Sequence, residues 1–288
     1  MSEHTDPSLN RRTVRLALRK AREDRGMTQS DAGQTLEWSL SKIIRIEQGA
    51  SSISVTDLRA LLAVYGLTDP ERAAELEEAA RYSRNQSWWA PFNDVVSPGF
   101  NRYLGYESAA ISIHGYHSSR LPEHVQTEDY AEALLDEGLN LNVDQRRIEL
   151  HAARQKRVLG ENGPRVAMVL DEAALRRQVG GPAVMVDQLK FLKELATREK
   201  ADLRALPFMS GVYSSLDDSF VLLGFKDDDD ALCLTDPEGT FAVRDGHKPL
   251  ARYQTCFANL HSKTLSRTDT LTLIDDLTET FRVLLERQ

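Results

Sequence analysis

The chain has 288 residues, with 36 Lys or Arg against 44 Asp or Glu and a formal net charge of -8. That length suggests two domains, and the composition is that of an ordinary soluble globular protein. No apolar run reaches the roughly eighteen residues a transmembrane helix needs. The polar start, with Glu3 and Asp6, lacks the basic-then-apolar pattern of a secretory signal, so a cytoplasmic, nucleoid-associated protein is expected.

An acidic chain argues at first against nucleic acid, but the charge is unevenly spread. From Leu9 to Gly49 there are nine Lys or Arg against five Asp or Glu, a local balance of +4. Contacts to phosphates are local and screened beyond about 10 Å, so a basic patch on an acidic protein still binds DNA.

The helical period starts at once. Leu9, Val14, Leu16, Leu18 and Ala21 lie among seven basic residues, and Gly26 ends this first helix. Thr28 caps a second, Gln29 to about Leu36, with Ala32 and Leu36 inward. A turn, Glu37-Trp38-Ser39, leads to a third helix, Leu40–Glu47, with Ile43 and Ile46 inward and Gly49 as its stop. After a serine-bearing loop (Ser51, Ser52, Ser54), Thr56 is expected to cap a fourth helix through Leu58, Leu61, Leu62 and Tyr65.

Helix, sharp turn, helix in a small bundle is the geometry that sets one helix into the major groove. Burying Ile43 and Ile46 leaves Leu40, Ser41, Lys42, Ile44 and Arg45 to face outward in some mixture. Lys42 and Arg45 are the expected readers of base edges or nearby phosphates. Arg is the better guanine reader, because its fork matches O6 and N7. Gln29 is placed to touch a phosphate or to brace the third helix. Thr28 and Ser39 put helix N-termini where phosphate oxygens bind well.

The run from Met27 to Gly49 resembles the lambda-repressor-like (XRE) helix-turn-helix. The resemblance rests on the Thr-Gln opening of the second helix, the Ser-x-Ser-Lys-Ile start of the third and its Arg-Ile-Glu-x-Gly exit. Gly33 stands where a small Ala is usual, a change worth about 0.8–1 kcal/mol of helix propensity.

Pro70 opens a further helix to about Arg84, which either closes the small domain or bridges to the next. Trp88 and Trp89 then sit on a Pro-bounded turn, suited to packing two domains together or to lining a ligand pocket. The expected organisation is a helix-turn-helix domain over 9–68, a linking helix and Trp-Trp hinge over 69–99, and a regulatory domain over 100–288.

In that last part the spacing predicts helices over Tyr103–His114, Glu128–Leu135 (capped by Thr127) and Val143–Leu159. A buried strand, Arg165–Leu170, follows. Asp171–Arg177 forms one or two helical turns, and Pro182–Thr197 a helix. Strands are expected at Ala201–Pro207, Phe220–Phe225, Ala231–Thr235 and Thr240–Val243, and closing helices near Pro249–Leu265 and Asp269–Glu286. The chain therefore reads as mainly α, a helix-turn-helix bundle plus an α+β domain with a small, mostly antiparallel sheet.

No glycine-rich phosphate loop, zinc-protease motif, paired-cysteine motif or nucleophile elbow occurs, so neither catalytic residues nor a cofactor are expected. Cys233 and Cys256 read as buried thiols. His114, His117 and His124 have no spacing that makes a metal site. The Asp227–Asp230 run reads as a solvated hairpin turn, because the ligand spacing of a calcium loop is absent.

A second resemblance covers this domain. The stretch from Arg120 to Leu134 is similar to the Val-Pro-Gly-Leu-Leu-Gln-Thr-x-x-Tyr-Ala motif of actinobacterial XRE regulators with a C-terminal Scr-type, antitoxin-like domain, the WhiJ type. The segments starting at Val169, Gly180 and Leu206, and the Trp88-Trp89 pair, also match. Glu123-His124 stands where Gly-Leu is usual, and His114 where Arg is usual. The resemblance implies a transcription regulator whose C-terminal domain binds a small, acidic partner protein or a ligand, with Trp88, Trp89, Tyr116 and His124 as candidate contacts. The alternative it leaves open is an antitoxin-like module whose main role is neutralising that partner. A single helix-turn-helix reads one half-site, so a homodimer on a palindromic operator is expected.

Overall fold

The computed structural model describes residues 7–47, 52–136, 141–211, 219–225, 231–235, 241–245 and 247–287. The positions expected to hold Met1–Asp6, Gly49, Ser51, the Asp227–Asp230 turn and the Thr240 strand start lie outside them. The chain divides into two compact units, one ending at Ala90 and the other beginning at Pro91.

The first unit is helical: α1 (Pro7–Asp24), α2 (Gln29–Thr35), α3 (Leu40–Glu47), α4 (Val55–Tyr65) and α5 (Pro70–Tyr82). Each contributes an apolar stripe at helical spacing. Val14 and Leu18, Ala32, Ile43 and Ile46, Leu58, Leu61, Leu62 and Tyr65, and Leu76 and Ala80 meet in one core. The helix after Pro70 thus closes the small unit, and a two-toothed Arg59–Glu77 ion pair, both contacts 2.6 Å, ties it to α4. The fourth helix starts earlier than the spacing suggests. Ser54, not Thr56, is its cap: the Ser54 hydroxyl accepts a hydrogen bond from the Asp57 N–H at 2.9 Å. Thr56 lies inside the first turn.

In the second unit α6 (Pro98–Ala109) precedes β1 (Ser112–His117), α7 (Glu128–Asp136), α8 (Leu141–Val158), β2 (Arg165–Asp171) and α9 (Glu172–Arg176). Then come α10 (Pro182–Ala196), β3 (Ala201–Leu206), β4 (Phe220–Gly224), β5 (Ala231–Thr235), β6 (Phe241–Asp245), α11 (His247–Ser262) and α12 (Arg267–Glu286). The sheet is six-stranded, in the order β3-β2-β1-β4-β5-β6. The β1–β2 and β2–β3 pairs are parallel, and the remaining pairs antiparallel. Parallel neighbours require helical crossovers, which α7, α8 and α10 supply. Tyr116, Val169, Phe220, Leu222 and Leu232 project from one face into a cluster with Leu250, Phe257 and Leu260 of α11. Elsewhere α10 packs along α12, and both pack on β3.

The helix expected over Tyr103–His114 is corrected here. It ends at Ala109, Ala110 is extended at φ -69 and ψ 138, and β1 follows. Ser112–His117 pairs on both sides, with Arg165–Leu170 and with Phe220–Gly224, and this pairing overrides local propensity. A Cβ at Gly115 would lie 2.6 Å from Met168 Sδ on the adjacent strand, so a larger residue there requires the Met168 side chain to move.

A buried ionic cluster joins α6 to α8. Glu107 accepts hydrogen bonds from Arg154 Nε and Nη2 at 2.9 and 2.7 Å, and His124 Nε2 lies 2.5 Å from the same carboxylate. Arg154 also pairs with Glu123 and sits over the Phe100 and Tyr103 rings. Burial pushes both carboxyls up, but the Arg154 charge, with His124 beside it, outweighs burial and holds Glu107 and Glu123 below the usual carboxylate range. Burial drives His117 the other way, down to about 3, and lowers His151.

Both shifts make the second unit acid-labile. A carboxyl with a depressed native pKa stabilises the fold above its unfolded pKa, roughly 4.3, and loses that contribution as pH falls through the native value. A histidine depressed in the native state takes its proton only on unfolding, so stability falls as pH drops from roughly 6.5 toward the native value. Calorimetry should therefore show Tm falling between pH 7 and 5. His117→Asn should flatten that slope and leave the steeper loss below pH 4.5; an unchanged slope would remove His117 from the account.

Candidate nucleic-acid interface

The turn between α2 and α3 sets the angle of the exposed helix. The Trp38 N–H reaches back to the Gly33 carbonyl at 2.8 Å and the Glu37 N–H to that of Gln34 at 3.2 Å, closing a Schellman-type end. Glu37 occupies the left-handed position at φ 56, where glycine is usual. At the Gly33 departure a Cβ would sit 3.0 Å from the Trp38 carbonyl oxygen, a tight approach between α2 and the turn.

Glu47, at the end of α3, is 5% exposed and holds the helices together. Its carboxylate accepts from Arg22 Nε and Nη2 (2.8 and 3.0 Å), Gln29 Nε2 (2.8 Å) and Tyr65 Oη (3.2 Å). Arg22 also donates to the Met27 carbonyl at 2.7 Å. The hydrogen bond to Glu47 raises the Arg22 pKa, and burial beside that carboxylate raises Tyr65. Glu47 is a residue positioning α3 that the outward-face reading overlooks. Its signal was present: an acid directly after the inward Ile46, inside the Arg-Ile-Glu-x-Gly exit.

The other site residues fall as follows. Thr28 is the N-cap of α2 in a reciprocal capping box with Asp31 (3.1 and 2.8 Å), and Gln29 braces α3 through Glu47. Ser39 accepts from the Lys42 N–H at 3.3 Å. Leu40 is 47% exposed, and Ser41 and Arg45 are also exposed. Ser39, Ser41, Lys42 and Arg45 line one shallow cavity of about 270 Å³. Arg45 has no partner among the described residues. Lys42 differs: its Nζ is 3.2 Å from Asp57 Oδ1 and 3.4 Å from the centre of the Trp38 ring. At this exposure the ion pair contributes about 0–1 kcal/mol and the ring contact about 0.5–1 kcal/mol.

Of the residues singled out for a partner or ligand, Trp88 and Trp89 belong to the first unit and Tyr116 and His124 to the second. Trp88 and Trp89 meet edge to face at 5.6 Å in the first unit, with Trp89 buried. Tyr116 is fully buried, and its hydroxyl lies 3.3 Å from Asp171 Oδ2. His124 belongs to the Glu107–Arg154 cluster, and His114 stacks on Phe257 at 5.0 Å. The Gln-Thr-x-x-Tyr motif is turned inward too. Gln126 donates to the Leu121 carbonyl at 2.7 Å, Tyr130 Oη accepts from the Leu121 N–H at 3.4 Å, and Gln188 of α10 bonds the Val125 carbonyl and the Thr127 N–H, both at 2.7 Å.

A capped α2, a tight turn and an α3 with one face buried and one face polar define a helix-turn-helix DNA-binding protein. Residues 15–76 match the family model of a helix-turn-helix domain. Residues 100–276, more than half of the chain, match the model described as a domain of unknown function, DUF5753, and the chain belongs to that family. No curated protein and no solved structure matches the chain. No helix among the described residues is long and apolar enough to cross a membrane.

Removing Arg22 leaves a buried carboxylate short of its counter-charge. Arg22→Met should lower the stability of the first unit by about 3–5 kcal/mol in denaturant unfolding followed by tryptophan fluorescence. A loss below about 1 kcal/mol would mean that Gln29 and Tyr65 suffice to hold Glu47.

Proposed function

We propose that this protein is a sequence-specific transcription regulator that places α3 in the major groove. The observation that carries the reading is the outward face of α3, where Leu40, Ser41 and Arg45, which has no partner among the described residues, share one exposed side of a braced helix. Arg45 reads a base edge through its forked guanidinium. Leu40 is suited to a thymine methyl and Ser41 to a weaker edge contact. The first-turn N–H groups of α2 and α3, beside Thr28 and Ser39, bind phosphate oxygens and set the register.

The protein acts in the cytoplasm, on the nucleoid, as a homodimer on a palindromic operator. Each helix-turn-helix reads one half-site, spaced about 10 base pairs or a multiple apart. The second unit senses a small partner protein or ligand, a reading supported by the resemblance of its Arg120–Leu134 stretch to WhiJ-type regulators.

Arg45→Ala should weaken binding to a duplex enriched by the parent protein from a random-sequence pool by about 1–3 kcal/mol. It should also relax selectivity at one base pair per half-site. Equal affinity and selectivity in parent and variant would remove α3 from the recognition role.

A further inference from the structure

Lys42 stands one turn before Arg45, but its ammonium is already engaged. Asp57 Oδ1 is 3.2 Å from Nζ, and the Trp38 ring lies beneath it at 3.4 Å. The three residues come from three elements: the turn, α3, and the first turn of α4. Trp38 packs on the core of the first unit, so the platform is anchored rather than free. Asp57 is held as well, since its N–H donates to Ser54 Oγ at 2.9 Å. The side chains of Lys42 and Asp57 remain 39% and 33% exposed, so the pair sits at the surface beside Ser39, Ser41 and Arg45.

We propose that Asp57 and Trp38 hold Lys42 back from the DNA backbone, so that Asp57 sets the strength and salt dependence of DNA binding while Arg45 supplies the working cation. This rests on the reading of α3 as the recognition helix. A cation that neutralises a phosphate releases counterions, and each such contact steepens the fall of affinity with salt by about 0.9 in log K against log salt. A lysine neutralised by its own carboxylate releases none. The clamp thus spends a positive charge on fixing the turn and leaves sequence-independent attraction low. In an otherwise acidic protein, that favours discrimination over bulk affinity.

The test uses the full chain and the duplex enriched from a random pool, titrated by fluorescence anisotropy between about 50 and 200 mM NaCl, where one added phosphate contact changes affinity about 3.5-fold. Asp57→Asn should steepen the salt slope by about 0.9, Lys42→Ala should leave the parent's slope unchanged, and the double variant should return to it. Asp57→Ser, which also suits a helical first turn, should behave as Asp57→Asn does. The proposal is overturned if Asp57→Asn and Asp57→Ser keep the parent's slope, or if the increment persists in the Lys42→Ala background, where Asp57 would be a plain repulsive charge. It is overturned equally if Lys42→Ala alone flattens the slope, because Lys42 then touches a phosphate already. Failure of the underlying reading looks different: no duplex is enriched, or Arg45→Ala binds the duplex as tightly as the parent.

Discussion

Glu47 is a carboxylate inside a helical core, and the geometry of the first unit follows from keeping it satisfied. An ionised carboxylate away from water costs several kcal/mol unless it is paired and hydrogen-bonded. Here α1 supplies a guanidinium, α2 an amide and α4 a phenol, all to one group at the end of α3. Apolar packing alone would let α3 slide or rotate at modest cost, because contacts between Ile43, Ile46 and their neighbours are non-directional. Four directed hydrogen bonds remove that freedom. The helix that faces outward is therefore positioned by the charge it keeps inside.

The same economy governs the charges on the surface. The stretch from Leu9 to Gly49 is locally basic, but its cations are not equivalent. Arg22 is spent on Glu47 and Lys42 on Asp57 and Trp38, and Arg45 carries no such tie among the described residues. Counting Lys and Arg gives the sign of the local field and nothing about which charges are available. Availability depends on acids that are distant in sequence, 25 residues away for Arg22 and 15 for Lys42. The bundle thus ties Arg22 and Lys42 to acids of other helices and leaves Arg45 without such a tie among the described residues.

The second unit repeats the principle with different materials. Glu107 and Arg154 form a buried pair, with His124 and Glu123 at its margin, where the related motif carries Gly-Leu. Substituting two polar residues into a buried loop is tolerable only because α6 and α8 present a carboxylate and a guanidinium there. The motif's remaining residues are held by Gln188 and by Leu121. They serve to fix a loop against α10, which explains the motif's residue types without requiring any of them to meet a ligand.

How much of this was legible in the sequence follows from how local each cause is. The helices of the first unit, the capping of α2 by Thr28, and strands β2 to β5 announce themselves through apolar period and turn residues within a few positions. Strand β1 does not. Ser-Ile-His-Gly-Tyr-His has two large apolar residues and follows a helix without a stop signal, and only its neighbours β2 and β4 make it a strand. The outward face of α3 was readable because Ile43 and Ile46 fix which side is buried. The state of Lys42 was not, since Asp57 reads as an ordinary acid in the first turn of another helix. Tyr116 and His124 run the other way: polar, ring-bearing residues beside a motif suggest contact with something outside, and in the fold each has a hydrogen-bond partner inside. A side chain's chemistry can be read from its letter. Which group satisfies it is decided by packing, and that decision separates Arg22 and Lys42, tied to acids of other helices, from Arg45, which has no such tie among the described residues.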